Sequence, residues 1–171
     1  MFNINDHISA YPDFPIRGIL FRDICPLLAS ADAMEQTIEL FYEALKDFSP
    51  EGFAGIESRG FLFSTLLAKR FNTGSYILRK PGKLPGKLIT EKYALEYGHN
   101  ELTLQAETPI AGKRIVLVDD LLATGGTVKA ARSLLTQAGA IPTALAVVIE
   151  LSGLKGRDVV DMPVVALTSY E

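Results

Sequence analysis

The sequence predicts an α/β domain built on a mostly parallel central sheet flanked by helices. Three observations carry that prediction. Short apolar runs alternate with stretches of helical periodicity along the chain. The segment Arg114-Ile115-Val116-Leu117-Val118 is continuously apolar after its first residue, as strands buried on both faces are. A glycine-bearing turn, an amphipathic stretch and a second apolar run follow it, and together they read as a right-handed β-α-β crossover.

Taken in order, the chain opens with proline-punctuated segments, Tyr11-Pro12 through Pro15, and then Gly18-Ile19-Leu20-Phe21-Arg22-Asp23. A helix is expected from about Asp32, with Met34, Ile38, Phe41 and Leu45 at three- and four-residue spacing and Asp32 with Glu35 as a capping box. Residues 53–56 read as a short buried strand, 57–60 as a turn and 61–71 as a helix. A second short strand, 75–78, runs into a basic segment rich in glycine and proline, 79–87. Residues 88–104 suggest a hairpin around Tyr97-Gly98-His99-Asn100. The crossover comes last: strand 114–118, then helix 127–138 with Val128, Ala131, Leu135 and Ala138 on one face and Gly139 as its stop, then strand 143–149.

Bulk properties bound the function. A chain of 171 residues, 48% hydrophobic, suits a single domain with a sizeable core. A net charge of −3 argues against a nucleic-acid protein held by a global positive field, although Arg79, Lys80, Lys83 and Lys87 crowd one short stretch. The single cysteine, Cys25, excludes an intramolecular disulfide and fits a reducing compartment. No signal peptide is visible at the start, and no apolar run reaches the roughly 20 residues that span a bilayer. A cytoplasmic protein with no membrane partner is expected. His7 and His99 stand alone, without metal-ligand spacing.

The chemistry concentrates in Asp119-Asp120-Leu121-Leu122-Ala123-Thr124-Gly125-Gly126-Thr127, between a buried strand and a helix start. Free N–H groups and the positive end of the helix dipole attract an anion at such a place. Gly125 and Gly126 allow close backbone approach to phosphate oxygens, and Thr124 and Thr127 add hydroxyl donors. Two carboxylates would repel a bare phosphate. They make sense if the ligand also presents hydroxyls, or a hard cation such as Mg²⁺, and a ribose 5-phosphate has both phosphate and hydroxyls. The pattern is neither G-x-x-x-x-G-K-[ST] nor the dinucleotide G-x-G-x-x-G.

This segment matches the phosphoribosyl pyrophosphate motif of the type I phosphoribosyltransferases. Further segments resemble the adenine phosphoribosyltransferases in the family's order. They are Tyr11 through Pro15, Gly18 through Ile24, Glu57 through Phe61, Arg79 through Gly86 and Tyr93 through Gly98. The resemblance covers nearly the whole chain and implies a type I phosphoribosyltransferase fold with a small hood (residues ~1–30, over the base) and a flexible loop. It implies transfer of ribose 5-phosphate from phosphoribosyl pyrophosphate to adenine, giving AMP and pyrophosphate, with Mg²⁺ held mainly through the substrate, in a homodimer. Many relatives carry aspartate where Glu57 stands and serine where Cys25 stands, and the family has a non-proline cis peptide at that turn.

The resemblance also assigns roles. Asp119, Asp120, Ala123, Thr124, Gly125, Gly126 and Thr127 would hold ribose and its phosphate, while Ser58, Arg59, Arg79, Lys80 and Lys83 would hold pyrophosphate under a closing lid. Leu20, Phe21, Arg22 and Leu121, with Leu122 beside it, would meet adenine, Phe21 by stacking. Glu96 would be the acid–base residue near adenine N7, assisted by Tyr97. Two alternatives stay open: transfer to another base, and a phosphoribosyl pyrophosphate-binding regulator. A Rossmann-type dehydrogenase is disfavoured by the absence of its glycine pattern.

Overall fold

The computed structural model describes residues 2–94 and 99–171. The chain forms two compact units, Met1–Leu40 and Phe41–Glu171. In the first, strands β1 (Ser9–Pro12) and β2 (Leu20–Asp23) pair antiparallel, with Tyr11 opposite Phe21 and Ala10 opposite Arg22. Sequence reading missed this hairpin, because Pro12 and Pro15 interrupt it and Tyr11, Phe14, Ile16, Ile19 and Leu20 are all exposed, so no alternation marks it. Its connecting loop is tied by Asp13, whose carboxylate accepts the Gly18 N–H at 2.7 Å, and by the Phe14 N–H donating to the Ile19 carbonyl. Phe14 meets Phe21 edge to face at 5.1 Å. A short helix, α1 (Cys25–Leu28), precedes the long α2 (Ala31–Leu45). The cap of α2 is Ser30 and not Asp32: the Ala33 N–H donates to Ser30 Oγ at 3.2 Å.

The second unit holds the sheet. Strands β3 (Gly52–Ile56), β4 (Gly74–Leu78), β7 (Arg114–Leu122), β8 (Ile141–Leu151) and β9 (Val164–Tyr170) are all parallel, in the order β4-β3-β7-β8-β9. Between β4 and β7 an antiparallel pair, β5 (Leu88–Ala94) and β6 (His99–Gln105), forms the expected hairpin, with Leu88 opposite Gln105. Its expected turn at 97–100 falls partly outside the described residues. Strand β9 was not foreseen.

Helix α3 (Gly60–Phe71) follows β3, and α4 (Gly126–Gln137) follows β7. The pleat of β3 divides its residues between them. Phe53 packs on Phe71 of α3, while Ala54 and Ile56 join the core that Val128, Ala131, Leu134 and Leu135 of α4 line. Phe41 and Tyr42 at the end of α2 pack on Phe63 and Phe71. From β3 the chain steps outward to β4 on one side, and from β7 it steps to β8 on the other. The carboxyl ends of β3 and β7 therefore flank the point where connections diverge, the usual place for a ligand crevice in such a sheet.

Candidate active site

At that divergence lies a cavity of about 420 Å³, lined by Ile56, Glu57, Ser58, Arg59, Lys80, Tyr93, Asn100, Asp119, Asp120, Leu121 and Thr127. A smaller recess of about 90 Å³ adjoins it, bounded by Asp119 and residues 121–128. One wall thus comes from the turn after β3 and the other from β7 and the loop after it.

Strand β7 runs farther than its apolar stretch. It continues through Leu122, so Asp119 and Asp120 stand within the strand and not in a loop after it. Asp119 pairs with Val147 and Leu122 with Glu150 across to β8, whereas the register with β3 ends at Val118. The other edge of the acidic pair is thereby left to the turn 57–60. Gly60 opens α3 directly against this strand: a Cβ there would overlap the Val118 carbonyl oxygen. That close approach delivers Arg59, whose Nε lies 2.7 Å from Asp120 Oδ2.

Asp120 is buried and Asp119 keeps partial access to the cavity. Burial pushes the Asp119 carboxyl well above the usual carboxylate range, and the adjacent Asp120 charge adds to this. The Asp120 N–H, donating to Asp119 Oδ1 at 2.9 Å, and the Arg59 charge work the other way without reversing it. Such a site favours a ligand that brings hydroxyl donors or positive charge.

The glycines of the loop do different work. Gly125 has φ +84°, and a Cβ on it would come within 2.7 Å of the Gly156 carbonyl oxygen. Gly126 has open space where its Cβ would be, at the first residue of α4 and beside the recess. Ala123, Thr124 and Thr127 line the recess with them.

The turn after β3 contains a cis Glu57–Ser58 peptide bond, as the resemblance implied. Burial tends to raise the Glu57 carboxyl, but the Lys80 N–H at 2.7 Å and the Arg79 guanidinium, Nε at 3.3 Å, outweigh it and hold it below the usual range. Arg79 also donates through Nη1 to the Lys83 carbonyl. Among the expected pyrophosphate ligands, Ser58, Arg59 and Lys80 reach the cavity wall, while Arg79 is engaged by Glu57 and Lys83 is not part of that wall. Leu121 borders the cavity, whereas Leu122 is buried in the core and borders only the smaller recess. Tyr93 and Asn100, from the β5–β6 hairpin, also line the cavity; the sequence marked Tyr93 only through the family motif and Asn100 only as part of a turn. Leu20, Phe21 and Arg22 all lie on β2 of the N-terminal unit. Glu96 and Tyr97 fall outside the described residues.

Comparison with known proteins agrees with this geometry. Residues 27–171 match the phosphoribosyl transferase domain family. The chain is 48% identical over 169 residues to the adenine phosphoribosyltransferase of Gluconobacter oxydans, covering 99% of this chain and 94% of that one. It is equally similar, at 48%, to that of Rhodospirillum centenum, with 99% of each covered. The crystal structure of adenine phosphoribosyltransferase from Thermoanaerobacter pseudethanolicus superposes with a TM-score of 0.94 at 39% identity, 98% of each chain being covered. The Saccharomyces cerevisiae enzyme, solved with an imino-altritol bisphosphate and adenine, gives 0.92 at 36% identity over 96% of each chain. The chain belongs to the adenine phosphoribosyltransferase family.

Proposed function

We propose that this chain, as a member of that family, transfers ribose 5-phosphate from phosphoribosyl pyrophosphate to adenine, giving AMP and pyrophosphate. The observation that carries the reading is the glycine–threonine loop opening α4 beside a strand-borne acidic pair, with Arg59 across the cavity. A phosphate fits the loop, and ribose hydroxyls fit Asp119 and Asp120 as acceptors.

As the C1–O bond to pyrophosphate breaks, the ribose gains oxocarbenium character, as in glycoside hydrolysis. The two carboxylates favour that positive charge. Arg59, Lys80 and Ser58 face the departing anion, with Arg79 and Lys83 assigned to the same task when the 79–87 segment closes over it. Adenine N9, held in line, forms the new bond to C1. Leu20, Phe21 and Arg22 are assigned to adenine, Phe21 by stacking, and Leu121 to the apolar wall. Glu96, assisted by Tyr97, is assigned the proton at adenine N7 on the strength of the resemblance.

Mg²⁺ belongs to this reading. Among the described residues no three His, Cys, Asp or Glu side chains converge as a metal cage requires. The oxygen donors Asp119 and Asp120 suit a hard cation that keeps its waters and takes most of its remaining ligands from substrate oxygens. When bound, the ion offsets pyrophosphate charge. A homodimer is part of the reading too: α3 leaves Leu62 and Leu66 exposed, and edge strand β4 leaves Ile77 exposed, apolar area that a second copy could cover. The lone cysteine favours a cytoplasmic setting.

The test is a base panel with phosphoribosyl pyrophosphate and Mg²⁺, read by chromatography of the nucleotide formed. AMP is the expected product, with adenine strongly preferred. IMP or GMP formed at comparable kcat/KM would overturn the adenine assignment while leaving the phosphoribosyl transfer standing.

A further inference from the structure

We propose that Glu150 and Arg157 are positioning residues for the phosphate loop, acting through Gly156. The proposal rests on reading residues 123–127 as the loop that holds the 5′-phosphate.

Glu150 is one of only two buried charged residues among those described, the other being Asp120 of the cavity. It stands beside Leu122 in the β7–β8 register, one residue before the loop begins. Arg157 grips its carboxylate with two donors: Nε lies 3.0 Å from Oε1, and Nη2 bonds Oε2 at 2.5 Å. The remaining donor, Nη1, reaches the Val164 carbonyl at 2.9 Å, at the start of β9. The guanidinium therefore ties the segment carrying it to the ends of two strands.

That segment, the short 3₁₀ turn Gly156–Asp158, lies directly under the loop. A Cβ on Gly156 would overlap the Ala123 carbonyl oxygen and come within 3.0 Å of Leu122 Cδ1. Its own carbonyl oxygen is the atom that a Cβ on Gly125 would meet. Backbone thus lies against backbone in both directions, with the side chains of Leu122 and Val159 packed beside the two contacts. Loop N–H groups aim correctly only while the Gly156 turn holds its height, and the Glu150–Arg157 fork sets that height. A paired buried charge is weak evidence for stability, because desolvation offsets most of the attraction. A fixed, bidentate geometry is what such a pair supplies well.

Isothermal titration of the full-length protein with AMP tests this, with steady-state KM values for phosphoribosyl pyrophosphate and adenine alongside. Gly156→Ala leaves the ion pair intact and lifts the loop directly, so AMP affinity should fall by roughly a hundredfold. Glu150→Gln keeps the shape and removes the charge. About a tenfold loss of AMP affinity is expected, with KM rising for phosphoribosyl pyrophosphate and unchanged for adenine. Thr127→Ala serves as the comparator for the loop itself. If Thr127→Ala weakens AMP and Glu150→Gln does not, whatever its melting temperature, the positioning role is overturned and the loop reading stands. If neither variant changes AMP affinity, the loop reading falls and takes the proposal with it. Should Glu150→Gln fail to fold, Arg157→Lys, which keeps the charge but loses the fork, carries the same test with the same expected split.

Discussion

The two strand ends that wall the cavity work by opposite means. After β3, the turn 57–60 presents charged side chains, and those are held by partners: Arg59 by Asp120, Glu57 by Arg79 and the Lys80 N–H. At the end of β7, residues 121–127 carry no charge, and beside Asp119 they offer the recess backbone, small apolar side chains and two hydroxyls. A side-chain wall tolerates substitutions that keep its charge, and its strength varies with pH and salt. A backbone wall carries no side chain that titrates, yet it fails when a single methyl group moves the chain. The first suits an anion that must leave, the second a phosphate that stays bound throughout the reaction.

The sharpest way to break this contrast is Gly125→Ala. The methyl group would meet the Gly156 carbonyl, and the residue would have to hold φ near +84°. Misplacing the loop should lower kcat/KM by about a hundredfold, and the strained backbone should cost about 1–2 kcal/mol of stability. Steady-state kinetics and urea denaturation read the two separately. Activity within a few per cent of the parent would show that the loop is not a backbone device.

A middle-sized effect is expected at Asp119, where the two walls meet. Burial and Asp120 raise its titration, so the folded state binds this proton more tightly than the unfolded chain does. Stability is therefore lost, on this group's account, as pH rises through the raised range, and the penalty is complete above it. Asp119→Asn should remove the penalty and stabilise the protein by about 1 kcal/mol at neutral pH, with the gain vanishing in acid. The same change should reduce kcat/KM roughly tenfold to a hundredfold, through loss of a charged acceptor for ribose hydroxyls. Loss of stability at pH 7 together with unchanged kinetics would contradict both halves.

The smallest effect should come from Glu57→Asp, which shortens a side chain of the tolerant wall. One of its two partners, the Lys80 N–H or the Arg79 guanidinium, should be lost. A cost of about 1 kcal/mol and a change in pyrophosphate inhibition of only a few fold are expected. A larger loss than that of Gly125→Ala would reverse the contrast between the walls.

How much of this was legible depended on whether a feature is local in sequence. The β7-α4-β8 unit announces itself, because burial on both faces leaves an unbroken apolar run and α4 keeps its period. The acidic pair and the glycine–threonine loop were visible for the same reason, although the extension of β7 through Asp119 and Asp120 was not. Polar residues in a strand hide it when pairing with β8 alone supports them. The β1–β2 hairpin was lost behind prolines and exposed apolar residues, and β9 behind partly exposed positions that lack contrast. Pairings across the chain left no trace, neither Arg59 with Asp120 nor Gly125 against Gly156. The separate tasks of Gly125 and Gly126 also needed coordinates, since adjacent glycines look alike in a sequence. The adenine-specific assignments came from resemblance and not from periodicity.

The strand order bears on how the protein comes into being during synthesis. Strand β3 emerges early and can pair with β4 soon after, but its other neighbour, β7, follows only when α3, β4 and the β5–β6 hairpin have been made. Parallel pairing across so long a stretch is slow, because the chain must close a large loop before any contact rewards it. Until then β3 has an open edge, and Arg59 has no Asp120 to meet. The nascent chain therefore carries half of its catalytic cleft for much of its translation, and the cleft becomes whole only when β7 slides into the middle of the sheet.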